Sequence, residues 1–286
     1  MSLFDSLVDQ AIRSREDLAL LRPVVEKELL HHDILREMSG AGLLFGLTFI
    51  GGTCLRDCYG SPRLSEDLDF TGGAGFKRGD LADLGRVLRQ NLETRYGLRI
   101  DVGDPVKDEG RVSTWKMSVE TRPGRKDLPA QRIHLDICAI PSHDARPMIL
   151  RNIYGVEMGT SGLILMAESR EEILVDKVVA LALRKNRIKN RDLWDILWLL
   201  QQGIELSQHL IPLKIADHRC GATEFTKLLA ERVKSLGDPV VRNDFLKEMR
   251  RFLPAGISRQ TVEQPQYWEY LVRAIGELSE RALKFL

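Results

Sequence analysis

Apolar residues recur at spacings of three, four and seven through residues 5–39, at Leu7, Ala11, Leu18, Leu21, Val25, Leu29 and Leu35, with charges between them. That spacing predicts amphipathic helix. Pro23 falls inside the segment and predicts either a fresh helix or a kink, because proline lacks the N–H that a helix interior uses. Residues 43–50 are apolar and β-branched and close on Gly51-Gly52, which predicts a strand ending in a tight turn, with a helix over residues 53–59 after it. Asp67-Leu68-Asp69-Phe70 alternates as a second strand. A glycine-rich loop over residues 72–79 follows, and residues 80–96 then carry a helical stripe of Leu81, Leu84, Val87, Leu88 and Leu92.

Two further stretches alternate. Residues 112–120 place Trp115, Met117 and Val119 on one face; residues 132–140 place Ile133, Leu135, Ile137 and Ala139 on one face and His134, Asp136 and Cys138 on the other. A Pro-Gly turn segment near residues 122–127 predicts that they pair antiparallel. From about residue 169 the spacing is helical, over residues 171–185, 191–202, 222–236, 239–252 and 265–285. The change sets a domain boundary near residues 150–170. No internal repeat or low-complexity segment is evident.

Composition narrows the class. With 286 residues the chain is long enough for a full core, as one large domain or two modest ones. Apolar residues are 43% and charged residues 29%, and 42 Lys+Arg against 41 Asp+Glu leave a formal charge of +1, so any nucleic-acid contact must come from a local patch. The N-terminal segment mixes charge with apolar residues and has no signal-like run, and no later run approaches bilayer length, which predicts a cytoplasmic protein with no membrane partner. Cys54, Cys58, Cys138 and Cys220 fit neither CxxC nor a Cys/His zinc pattern, so buried thiols are expected.

Candidate chemistry concentrates in residues 49–70. Asp67 and Asp69, two apart on a strand, put two carboxylates on one face, a donor set that suits Mg²⁺ held together with substrate phosphates. Gly51 and Gly52 let backbone approach a ligand, helix N-terminal N–H groups attract phosphate, and Thr53 adds a hydroxyl. A metal pair beside phosphate-directed N–H groups fits transfer of a nucleotidyl group from a triphosphate. Asp136, mid-strand on the face opposite an apolar row, is the candidate third carboxylate, as metal ligand or base; His134 shares its face. Arg63 and Arg56 are further candidates for phosphate. Taken singly, each motif also reads as an ordinary turn, cap or edge-strand charge.

Gly51-Gly52-Thr53-Cys54-Leu55, then Tyr59, then Arg63-Leu64-Ser65-Glu66-Asp67-Leu68-Asp69-Phe70 resembles the signature of the AbiEii/AbiGii nucleotidyltransferase toxin family, which includes the MenT toxins. Lys177 and the Arg191-Asp192 pair with Asp195 resemble the family's later lysine and Arg-Asp-x-x-Asp motifs. The resemblance implies an α+β fold: a polymerase-β-like nucleotidyltransferase core with a mixed sheet over residues 1–165, and an all-helical C-terminal domain over residues 166–286 that closes the cleft. It implies a toxin of a toxin–antitoxin or phage-defence pair, with a cognate antitoxin partner, a nucleoside triphosphate substrate, Mg²⁺ (two ions possible), and the 3′ end of tRNA as acceptor. By residue, it implies metal binding by Asp67, Asp69 and, less uniformly, Asp136. Nucleotide binding falls to Gly51, Gly52, Thr53, Arg63, Ser65 and Lys177, and catalysis to Asp67, Asp69, Lys177 and Asp192.

Other readings stay open on the residues alone. Lys177 sits at the margin of an apolar stripe, where a lysine either snorkels or faces an anion. Asp192 and Asp195 share a helix face and could serve as partners of the helix dipole. The run Arg184, Lys185, Arg187, Lys189 and Arg191 is either a solvated loop or an RNA contact. Transfer to a small molecule or protein, and a non-catalytic nucleotide- or antitoxin-binding module, are the rival functions.

Overall fold

The computed structural model describes residues 2–105, 111–124, 129–185 and 187–286. The chain divides into two compact units, Met1–Glu168 and Ser169–Leu286.

In the first unit, α1 (Leu3–Ser14) starts at a reciprocal capping box between Ser2 and Asp5. A 3₁₀ turn (Glu16–Leu21) leads into α2 (Arg22–Gly40). Pro23 lies in the first turn of α2, where its missing N–H breaks no helix bond, so the fresh helix start is what forms. The strand expected over residues 43–50 shrinks to β1 (Thr48–Ile50), because Gly42 and Gly46 take φ of 72° and 76° and coil the chain ahead of it. Helix α3 (Gly51–Asp57) starts at the glycine pair rather than after it.

The remaining elements are β2 (Leu68–Thr71), a 3₁₀ turn (Arg78–Leu81), α4 (Leu84–Tyr96), β3 (Ile100–Gly103), β4 (Val112–Val119), β5 (Gln131–Cys138), β6 (Ala145–Ile149) and β7 (Ile164–Glu168). Among the described residues the strands form one seven-stranded sheet in the order β3-β4-β5-β2-β1-β7-β6. It is mixed: β1 runs parallel to β7 and β2 parallel to β5, and the other neighbours are antiparallel. β4 and β5 pair as expected, Trp115 opposite Leu135 and Met117 opposite Ile133, with all four side chains buried. Residues 125–127 of the expected Pro-Gly turn lie outside the described residues. In the sheet centre the Phe49 and Phe70 rings sit 5.1 Å apart across β1 and β2. Each such buried ring contributes roughly 1.5–3 kcal/mol through loss of contact with water.

The second unit is helical: α5 (Arg170–Leu183), α6 (Asn190–Gln201), α7 (Leu210–Asp217), α8 (Ala222–Ser235), α9 (Pro239–Met249), α10 (Ala255–Gln260) and α11 (Pro265–Leu283). Helix α5 is capped by Ser169, whose Oγ accepts from the Glu172 N–H at 3.1 Å. The core gathers Trp194, Phe225, Phe245 and Trp268. Helix α7 is pinned to α5 by the buried Lys214, whose Nζ lies 2.6 Å from Glu172 and 3.0 Å from Asp176. The mixed sheet with helices makes the fold α+β. No helix among the described residues is long and apolar enough to cross a membrane. Cys54 and Cys58 are buried as expected, whereas Cys138 and Cys220 are partly exposed.

Candidate active site

The fold brings Gly51 against Asp69 and Gly52 against Arg63. Gly51 has φ 77°, and a Cβ there would lie 2.8 Å from Oδ2 of Asp69; a Cβ at Gly52 would overlap Nη2 of Arg63. Glycine is thus required twice, once for a left-handed conformation and once to let a guanidinium lie against the backbone. Arg63 is buried, and its Nη1 donates to the Leu64 carbonyl at 2.9 Å. Helix α3 spans seven residues, so its dipole is weak, and what it offers an anion is its first N–H groups, which have no partner within the helix.

Asp67 immediately precedes β2, and Asp69 lies within it, between the buried Leu68 and Phe70. Because β2 runs parallel to β5 in register, Asp69 stands beside Asp136. Asp136 Oδ1 accepts from the Thr114 hydroxyl at 2.6 Å. Asp67 Oδ1 accepts from the His134 backbone N–H at 3.2 Å, and the His134 ring Nδ1 lies 3.3 Å away. Among the described residues no three acidic, histidine or cysteine side chains converge into a ready-made metal cage. The donor set still fits Mg²⁺, which keeps water and substrate phosphate as ligands and needs only one or two carboxylates from protein. Thr53 is fully buried, its Oγ1 2.7 Å from Ser65 Oγ and against the Asp67 carbonyl, so this hydroxyl holds the segment that carries the aspartates.

The second unit brings together Lys177, Asp192 and Asp195. Lys177 Nζ lies 2.6 Å from Asp192 Oδ1 and 2.9 Å from Asp195 Oδ2, and Arg184 reaches Asp192 Oδ2 at 3.2 Å. Burial works against the Asp192 charge, yet Lys177, Lys189 and Arg184 outweigh it and hold the carboxyl below its ordinary value. Lys177 is therefore ion-paired rather than snorkelling. The basic run divides: Arg184 serves Asp192, Arg191 packs over the Phe252 ring 4.6 Å from its centroid and lies 3.4 Å from Glu248, and Lys185 and Arg187 are exposed. Asn186, inside the run, lies outside the described residues.

Sequence reading missed Thr114, although the antiparallel pairing of β4 and β5 puts it opposite Asp136. It also missed Glu28 on α2, which accepts from the Ser65 N–H at 2.8 Å; nothing in the helical spacing marks that acid as different from its neighbours.

A mixed sheet with a carboxylate beside a Gly-Gly turn fits a nucleotidyltransferase, and the family comparison shows that class. Residues 33–273 match the profile of the AbiEii nucleotidyl transferase toxins of type IV toxin–antitoxin systems, and the chain belongs to that family. Among solved structures it is similar to MenT4, a nucleotidyltransferase toxin from Mycobacterium tuberculosis H37Rv, at 14% identity and TM-score 0.60, covering 98% of this chain and 94% of that one. JHP933 from Helicobacter pylori shares 19% identity over 91% of this chain and 92% of its own, at TM-score 0.49. No curated protein matches in sequence.

Proposed function

We propose that this toxin transfers a nucleoside monophosphate from a nucleoside triphosphate to the 3′ end of tRNA in the cytoplasm, in a Mg²⁺-dependent reaction, and that a cognate antitoxin counters it. The observation that supports the reading is the close approach of the Asp69 carboxylate to Gly51, beside the turn proposed to receive phosphate. Asp67 and Asp69 would hold the ion, and Gly51, Gly52 and Thr53 would offer backbone N–H groups to the phosphates. Arg63, packed on Gly52, adds positive charge, and Ser65 steadies the loop through Thr53. When bound, Mg²⁺ neutralises triphosphate charge and stabilises the departing pyrophosphate.

The acceptor 3′ oxygen attacks the α-phosphorus; the new P–O bond forms as the bond to pyrophosphate breaks, and the acceptor proton leaves to base or water. Asp136 is either a third ligand or that base, and Asp136→Asn separates the two: a ligand loss raises the Mg²⁺ requirement, a base loss flattens the pH profile. Lys177 and Asp192 are the second unit's own candidates for nucleotide binding and catalysis. Lys185 and Arg187, exposed and without acids beside them in sequence, support an RNA acceptor.

The test incubates the protein with Mg²⁺, total tRNA and each α-labelled nucleoside triphosphate, with Asp69→Asn alongside. Label on tRNA with the wild type alone is expected. Label on a small molecule or on protein refutes the acceptor, and no pyrophosphate with any nucleotide refutes the reaction and favours a binding module.

A further inference from the structure

The first unit contains a buried polar cluster that the motifs do not account for. Glu28 on α2 is 1% exposed and Arg56 on α3 is 3% exposed. Arg56 Nε lies 3.2 Å from each oxygen of Glu28, and Arg56 Nη1 donates to the Ser61 carbonyl at 3.0 Å. Glu28 Oε1 accepts from the Ser65 backbone N–H at 2.8 Å, and Oε2 accepts from the Tyr154 hydroxyl. The pair therefore grips the segment between α3 and β2 at both ends, Ser61 through Arg56 and Ser65 through Glu28. From Ser65 the chain of contacts continues to Thr53 Oγ1 at 2.7 Å and on to the Asp67 carbonyl.

Burying two charges costs several kcal/mol of solvation each, which hydrophobic residues of similar volume would avoid. What this pair does hold is the chain itself, at Ser61 and at Ser65. The geometry here is that of a segment without regular structure that must hold Arg63 against Gly52 and present Asp67 at the edge of β2. We infer that Glu28, with Arg56, is a positioning residue for nucleotidyl transfer: it touches no substrate and fixes the Ser61–Asp67 segment on which Arg63 and Asp67 depend. The inference rests on the proposed reaction for its kinetic arm and on no reaction for its structural arm.

The experiment uses the full chain with Glu28→Asp and Arg56→Lys, which keep both buried charges and so avoid leaving one unpaired. Hydrogen exchange read by mass spectrometry is expected to rise in peptides covering residues 59–68 in both variants, with α4 and β4 unchanged. In the nucleotide-transfer assay kcat is expected to fall about ten- to a hundredfold, since displacements near 1 Å cost rate steeply, while KM for the nucleotide stays within about threefold. Exchange over residues 59–68 equal to wild type in either folded variant overturns the inference, as does loosening spread evenly over the unit. So does a rise in KM with kcat unchanged. If Glu28→Asp does not fold, Arg56→Lys alone decides, and if neither folds the pair is a folding determinant and the positioning role is rejected. Wild-type protein that transfers no nucleotide removes the kinetic arm and the proposed reaction together, and the exchange result still stands.

Discussion

Replacing Lys177 by methionine removes one cation from between two carboxylates while keeping most of its length. Lys177 Nζ sits 2.6 Å from Asp192 and 2.9 Å from Asp195, with the three side chains 10%, 5% and 0% exposed. Removing one partner of a buried pair costs about 3–5 kcal/mol. Arg184 stays 3.2 Å from Asp192 and continues to offset its charge, so the lower end applies, about 3 kcal/mol. Urea unfolding followed by tryptophan fluorescence reports mainly on this region, since three of the four tryptophans, Trp194, Trp198 and Trp268, belong to the second unit and Trp115 to the first. Adding Asp195→Asn to Lys177→Met removes the surplus negative charge and is expected to return about half of the lost stability. Pyrophosphate release stays absent in both. A cost below about 1 kcal/mol for the single variant refutes the buried cluster, because it is the value of an exposed pair. Activity that returns with stability in the double variant refutes a catalytic role for Lys177.

Gly52→Ala drives a Cβ onto the Arg63 guanidinium; activity is expected to fall at least about tenfold, and adding Arg63→Ala restores thermal stability without restoring transfer. His32 is lowered from 6.5 to about 4 by burial, with His31 and Arg56 adding to it. The unfolded chain therefore takes up a proton that the folded one refuses, and stability is lost as pH falls through that window. The loss is about 2 kcal/mol between pH 7 and pH 5. Urea midpoints of wild type against His32→Gln isolate it from His31, and parallel pH dependences refute it. Asp57 is buried with neither carboxylate oxygen partnered, and burial with Glu28 nearby raises it well above its ordinary value. Asp57→Asn is expected to raise the melting temperature at pH 7 and to have lost that gain near pH 3, where the acid is mostly protonated in both states; an unchanged gain at low pH contradicts the charge argument.

What the sequence made legible was periodic or glycine-marked. The long strands β4 and β5 and helices such as α6 and α11 announce themselves because one face is buried along their whole length. β3, β6 and β7 do not: each is four or five residues long, and β6 carries Arg146 and Pro147 as an edge strand tolerates. Helices α7 and α10, at eight and six residues, show too few turns for a stripe. At the site, local motifs named Gly51, Gly52, Asp67 and Asp69. The register that sets Asp69 beside Asp136 is a tertiary fact, and so is the reach of Glu28 to Ser65. The motif makes Thr53 a candidate phosphate contact, and only the fold shows its hydroxyl turned inward.

The strand order carries a consequence for the cell that makes this toxin. β2 lies between β1 and β5, and β1 lies between β2 and β7, so the strands holding the glycine turn and the aspartates are flanked by strands encoded much later in the chain. A ribosome that has delivered Asp69 has delivered the whole signature and no sheet to mount it on. At about 5–20 residues per second, completion through β7 takes on the order of 5–20 s more. A chain that ends before β5 is therefore expected to transfer no nucleotide, and a truncation after residue 130 assayed for pyrophosphate release checks it. Delayed assembly of the sheet is then a consequence of strand order alone.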